Sequence, residues 1–334
     1  MERSVSTTVQ PSPVPEGRLL AVCCQGDGIV AVHSFEDGTV VGHIPVGEHP
    51  VHALAVAGQV FVATMGERSV TVIGADGTVE QIPVGVLGPS HVACVGGLLF
   101  VTCTASDVVA VIDSATQSLK TRIGVGAEPH ELAVSSNRLF VGSRRDGVIS
   151  VVDTDALSHR SVIKVGQTAS VEAVAISPTT GTGYAVDRRG GRLVTFTTGS
   201  SPAILGEVPV GRDPSSLTLT NTSVYVPASG DGTVREFDAD PVPTLACVHD
   251  GFERPVAVYE FDGEMWVVDR ERSMLTSLGG RAVDVPAGAI HGLPTETGIV
   301  LSHYDDGAVS LVEPGTGVRW SVETGANPLG VLLV

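Results

Sequence analysis

The chain has 334 residues, with 37 acidic against 20 basic side chains, a formal net charge of −17, 40 glycines, 20 prolines and 4% aromatics. That length supplies one large domain or two ordinary ones with ample buried core. The charge argues against nucleic acid or an anionic membrane as partner, since both need a basic surface, and no apolar run approaches the ~18 residues of a membrane span.

In chain order, MERSVSTTVQPSPVPEG (1–17) has no apolar h-region and reads as a flexible tail, which makes a cytoplasmic location the expectation. From residue 18 onward, short Val-rich runs alternate with Gly, Asp, Asn and Pro, and no segment has helical apolar spacing, so the class is all-β. The five cysteines, Cys23, Cys24, Cys94, Cys103 and Cys247, are odd in number and contain no C-x-x-C, as expected of buried reduced thiols.

The first segment, RLLAVCCQGDGIVAVHSFEDGTVVGHIPVG, reads as three strands ending in the phrase IPVG at 44–47. That phrase returns as IPVG (82–85), IGVG (123–126), IKVG (163–166), VPVG (208–211), CVHDG (247–251), VPAG (285–288) and VETG (322–325). The period is about 40 residues, the length of one propeller blade. Each period runs through a polar turn and a first strand such as HALAV, then a second such as LFVGS, a polar loop, a third such as VISVVD, and a fourth ending in glycine. A blade of four antiparallel strands follows, repeated until no sheet edge is left. The C-terminal NPLGVLLV supplies only a first strand, which completes the blade begun by the N-terminal segment. We therefore expect one β-propeller over 18–334, of eight blades, with seven as the alternative because the interval around 251 is the least regular.

Phrases such as IGVGAEPHELAVSSNRLFVGSRRDGVISVVDTDA resemble the YVTN-type and virginiamycin-B-lyase-like propeller repeats over nearly the whole chain. The resemblance implies the fold, and those families span metal-dependent lyases, lactonases, surface proteins and scaffolds. The lyase branch implies a magnesium ion and a histidine base at the centre, but no motif carries its residues over one by one.

Stacking the first strands on their apolar cores aligns His52, His91, His130, Glu172, Ser215, Val256, His291 and Leu329. Beginnings of innermost strands face the central channel, so the four histidines are predicted to hold a divalent metal. Imidazoles suit Fe, Cu, Zn or Mn better than Mg. Glu172 is a ligand or a base beside the metal, and Glu131 is an acceptor behind an imidazole. Counting from the preceding proline instead places Glu131, not His130, beside His52. Polar channel residues that hold only water are the plainer reading.

The loops between second and third strands carry arginines on the same face: Arg68, Arg144, Arg145, Arg188, Arg189, Arg270 and Arg272. Arg68, Arg144, Arg188 and Arg270 are the expected binders of a carboxylate or phosphate, against the alternative that loop aspartates such as Asp146, Asp187 and Asp269 neutralise them. His303 and Tyr304 in LSHYDD are candidate acid–base groups. No G-x-S-x-G, P-loop or dinucleotide fingerprint is present.

The function expected from these features is a metal-dependent enzyme acting on a small, anionic molecule, with Lewis-acid lyase, cyclase or isomerase chemistry foremost. An Fe or Cu oxidase or oxygenase on the same histidines is the second expectation, and a scaffold binding a protein or peptide the third.

Overall fold

A computed structural model describes residues 18–334; the tail expected over 1–17 lies outside the described residues. Eight four-stranded antiparallel sheets, the blades of a β-propeller, and the turns joining them make up the described residues, with one 3-10 turn at Thr104–Ser106 and no α-helix among them. The eight-blade count therefore holds over the seven-blade alternative. Among these residues no helix is long and apolar enough to cross a membrane.

The blades are numbered from the N-terminus. The first comprises Leu19–Cys24, Ile29–Ser34 and Val40–Pro45, with Pro328–Leu333 as its innermost strand. Leu20 lies opposite Leu333 and Val22 opposite Val331, so the last strand completes the first sheet as the repeat arithmetic predicts. Blades two to eight begin with Pro50–Val56, Pro89–Val95, Pro129–Ser135, Val171–Ile176, Thr218–Leu219, Pro255–Phe261 and Ala289–Pro294.

Two compact units divide the chain: one holds 83–251, with blades three to six, and the other holds 18–82 with 252–334. Within each, apolar residues of successive blades interleave. Phe140, Ile149 and Val151 of blade four pack with Val174, Val194 and Phe196 of blade five, the two phenyl rings 5.4 Å apart. Blades five and six share a cluster around Tyr184, Leu193, Val224 and Phe237. In the other unit Trp266, Leu275, Ile299 and Leu301 join blades seven and eight.

This packing explains the burial of each strand type. Second and third strands are covered on both faces and read as continuous apolar runs, such as the fully buried GYAVD of Gly183–Asp187. Fourth strands alternate, as in Ile204–Pro209, because one face meets solvent.

The end of the repeat phrase meets the turn that precedes the third strand of its blade, and where that turn residue is glycine the contact is close. In blade four Gly147 (φ +62°) accepts the N–H groups of Val165 and Gly166, and a Cβ on Gly147 would lie 1.9 Å from the Gly166 carbonyl. In blade five Val210 N–H bonds the Gly191 carbonyl in the same way. The third-strand turn and the end of the fourth strand thus touch through backbone alone.

Candidate functional site

Seven of the eight first strands open with a β-bulge, the short Thr218–Leu219 pairing without one, and the pairing around the bulge decides which side chains are equivalent. Pro50 lies opposite Thr64 and His52 opposite Ala63; Ala289 lies opposite His303 and His291 opposite Ser302. His52 and His291 therefore share one position. His91 holds it too, since Pro89 faces Cys103 and Val92 faces Val101. In blade four Pro129 faces Ser143 and Leu132 faces Val141, which places His130 one residue earlier and gives the His91 position to Glu131. Glu172 also sits at the earlier position, because Val171 faces Asp187 and Ala173 faces Val186. The proline-anchored count is the one the strand pairing follows, and the single column aligned on apolar cores resolves into two neighbouring positions. A bulge shifts the pattern by one residue without altering the apolar core that follows.

In the unit of blades three to six, the His91 and His130 rings meet edge to face, centroids 4.2 Å apart. His130 Nδ1–H donates to the Glu172 carbonyl at 2.8 Å, leaving Nε2 to accept a 2.7 Å bond from Arg144 Nη2. The same guanidinium grips the Glu172 carboxylate with two bonds, Nε to Oε2 at 3.0 Å and Nη2 to Oε1. Glu172 is 5% exposed, so its carboxylate is withdrawn from water, while the Arg144 side chain stays about a third exposed. The backbone carbonyl of Glu172, not Glu131, orients His130, while Glu131 is half-buried. Arg188 stands at 3.7 Å from Glu172 and binds Asp213 at 2.6 Å.

The loop that carries Arg188 and Arg189 is built on a buried aspartate. Asp187 accepts the N–H groups of Ser170 at 2.9 Å and Gly190 at 3.0 Å, and pairs with Arg192 at 3.0 Å. Beyond Arg188 an open groove of about 400 Å³ runs between blades five and six. Four arginines line it, Arg188, Arg189, Arg212 and Arg235, against the single carboxylate of Asp213. Arg212 is paired with Asp231 at 2.7 Å, whereas Arg235 donates to the Pro209 carbonyl at 3.1 Å and its buried Nε has no hydrogen-bond partner. Arg189, Arg212 and Arg235 were not among the expected binding residues. Their signal was faint, because Arg212 follows a closing glycine and Arg235 lies inside a strand.

In the other unit, the His52 and His291 rings meet edge to face with centroids 5.5 Å apart. Both ring nitrogens of His291 are buried and lack a hydrogen-bond partner, and burial pushes its pKa down to about 4, so it is neutral at physiological pH. His303 is fully buried; Nε2 bonds Ser310 Oγ at 2.7 Å, and burial, against opposing backbone and Asp306 contributions, takes its pKa down to about 4. Its ring lies within the sheet of blade eight, where it braces neighbouring strands. Tyr304 O–H donates to Gln25 at 2.7 Å, and its carbonyl accepts from Asn327 at 3.2 Å.

The remaining rim arginines largely meet carboxylates. Arg270 pairs with Asp305 at 2.7 Å, Arg145 with Glu128 at 3.5 Å, and Arg272 stands 3.8 Å from Asp269. Arg68 is exposed. Among the described residues no group of three or more His, Cys, Asp or Glu side chains is arranged to hold a metal ion.

The sequence matches no protein-family model and no curated protein. Solved structures do match. The dihydro-heme d1 dehydrogenase NirN, in complex with DHE, superposes with a TM-score of 0.76 at 12% identity, over 98% of this chain and 77% of that one. Apo AztD from Citrobacter koseri gives a TM-score of 0.68 at 14% identity, over 96% and 98% of the two chains. The periplasmic gluconolactonase PpgL from Pseudomonas aeruginosa gives 0.60 at 16%, over 95% and 99%. At such identities the likeness carries the fold alone. The fold is a β-propeller. Propellers host enzymes and binding proteins alike, so the reading of function rests on this chain's own side chains.

Proposed function

We propose that the protein is an enzyme acting on a small anionic molecule, with proton transfer at His130 and Glu172 and anion recognition by Arg144, Arg188 and the groove arginines. The observation that carries this reading is the fork of Arg144 on Glu172 and His130. Burying the Glu172 carboxylate costs several kcal/mol, and a well-packed apolar residue there would stabilise the fold as well or better. A chain that keeps such a network beside two imidazoles and an arginine-lined groove keeps it for chemistry.

The network sets the protonation states that chemistry needs. The Glu172 carbonyl fixes the proton on His130 Nδ1, so Nε2 carries the lone pair. Arg144 occupies that lone pair and the carboxylate together. A substrate carboxylate or phosphate that draws Arg144 away frees two proton acceptors at once, a general-base arrangement that forms only with substrate bound. Arg188 remains 3.7 Å from Glu172. Enolisation, elimination or isomerisation next to a carbonyl fits this set.

The expected metal divides the histidines by their surroundings. His130 and Glu172 do not fit a cation, since a guanidinium already sits on their donor atoms. His291, neutral with both nitrogens unengaged, fits a transition-metal ligand, and His52 beside it is the second donor. An ion held there would supply Lewis-acid polarisation.

Two measurements test the reading. Calorimetric titration with inorganic phosphate, a sugar phosphate and a dicarboxylate should show binding that an uncharged sugar lacks. Arg188→Gln should weaken it about tenfold to a hundredfold, the worth of a charged hydrogen bond. Elemental analysis of the purified protein should find a transition metal that His291→Ala removes. Absence of anion binding, or binding indifferent to Arg188→Gln, would overturn the anion site.

A further inference from the structure

On blade six, far along the sheet from the first strand, lies a second cluster of reactive groups. Cys247 is exposed on the outermost strand, Leu245–His249, while Cys23, Cys24, Cys94 and Cys103 are buried. His249 follows two residues later on the same face. Its Nε2–H donates to Glu236 Oε2 at 3.1 Å, which turns the Nδ1 lone pair toward Cys247 Sγ, 4.0 Å away.

Glu236 is itself held in place. It lies opposite Cys247 on the neighbouring strand, with Tyr225 opposite it in turn. The hydroxyls of Tyr225 and Ser223 donate to its Oε1 at 2.9 and 3.2 Å. Burial alone would raise its pKa, but the bonds from His249, Tyr225 and Ser223 outweigh that and hold the carboxyl below its ordinary value. Thiol, imidazole and carboxylate therefore stand in the order nucleophile, base, orienting group, the arrangement that activates a nucleophile on unrelated folds.

We infer that Cys247 is an activated thiol, a modification site for low-molecular-weight disulfides, with His249 as its base and Glu236 as the residue that positions the base. As Sγ attacks one sulfur of the small disulfide, His249 Nδ1 takes the thiol proton. The reagent's S–S bond breaks, the bond to Cys247 forms, and the departing thiolate recovers the proton as a free thiol. Cys247 is oxidised and half of the reagent is reduced. The buried thiols are inert by contrast: desolvation, only partly offset by an Ala110 backbone contact and Arg122, pushes Cys103 up to about 12. The site rests on none of the residues proposed for the anion chemistry.

The test is the reaction of the folded full-length protein with oxidised glutathione, followed by intact mass and peptide mapping, with rates taken from an aromatic disulfide. One adduct per chain is expected, at Cys247 and absent in Cys247→Ser. His249→Gln should slow it by roughly tenfold, less than the hundredfold of a fully formed acid–base pair because sulfur and nitrogen are still apart. Glu236→Gln should slow it as well, and circular dichroism checks that both variants fold. Tyr225→Phe, which keeps the ring, should have a smaller effect of the same sign. A free peptide LACVHDG, which has the cysteine and histidine but no Glu236, should react no faster than His249→Gln. A rate in His249→Gln within about twofold of wild type, or a peptide as fast as the folded protein, would overturn the inference.

Discussion

At the residue scale, the decisive group is Arg144. The histidines and Glu172 are visible in the sequence as polar residues at the mouths of apolar strands, but their partners are not. Arg144 reaches them from the turn that follows the second strand of its own blade, across a bulge that displaces His130 by one position. Its removal should be severe. Arg144→Gln leaves Glu172 buried beside Arg188 alone, and should cost about 3 kcal/mol in urea unfolding, as for a broken buried pair. Arg144→Gln with Glu172→Gln should recover most of that loss, the coupling a double-mutant cycle reads. Equal losses in the single and double variants would deny the fork its energetic role. His303 belongs to the same scale. Its folded pKa of about 4 lies below the unfolded value near 6.5, so the unfolded chain binds the extra proton between those pH values. The stability held by neutral His303 is thus complete above about pH 6.5 and is lost as pH falls toward 4. The thermal midpoint should drop over that window, and less in His303→Gln, which keeps a polar partner for Ser310 without titrating. An unchanged slope in the variant would show that other groups set the acid limit.

At the element scale, the repeat phrase was legible because backbone contact requires it. The end of the fourth strand meets the turn before the third strand through backbone, and in blade four the turn glycine Gly147 has no room for a side chain. Gly147→Ala places a Cβ 1.9 Å from a carbonyl oxygen and asks for a left-handed conformation besides. It should cost about 2–4 kcal/mol in chemical denaturation, well above the ~1 kcal/mol of a typical substitution. Gly124→Ala, with nothing near its Cβ, is the control and should be close to neutral. The blade count and the closing strand were legible for the same reason, since both are counting problems once the repeat is seen. Register at the bulge was not, because apolar residues on either side of it permit two alignments. The Cys247–His249–Glu236 cluster was hidden by an irregular phrase, CVHDG, whose partner carboxylate lies on the adjacent strand.

At the scale of the whole molecule, charge sorts the ligands. A net charge of −17 repels polyanions over the ~8–10 Å reach of electrostatics at physiological salt. The groove between blades five and six is lined by four arginines, of which Arg188 pairs with Asp213 and Arg212 with Asp231. On the proposed function the ligand is a small, multiply charged anion, and about 400 Å³ suits a molecule of metabolite size. The fold itself adds no further choice, because the propellers it resembles include a dehydrogenase and a gluconolactonase. The measurement that reaches the centre of the proposal is proton exchange. Small keto acids, hydroxy acids and sugar phosphates that bind are incubated with the protein in D₂O and followed by proton NMR. At least one should lose the signal of a C–H next to its carbonyl, or be converted outright, and Glu172→Gln should slow that by about a hundredfold while leaving the protein folded. Anions that bind yet exchange no proton, or exchange equally in Glu172→Gln, would contradict an enzyme working through this cluster.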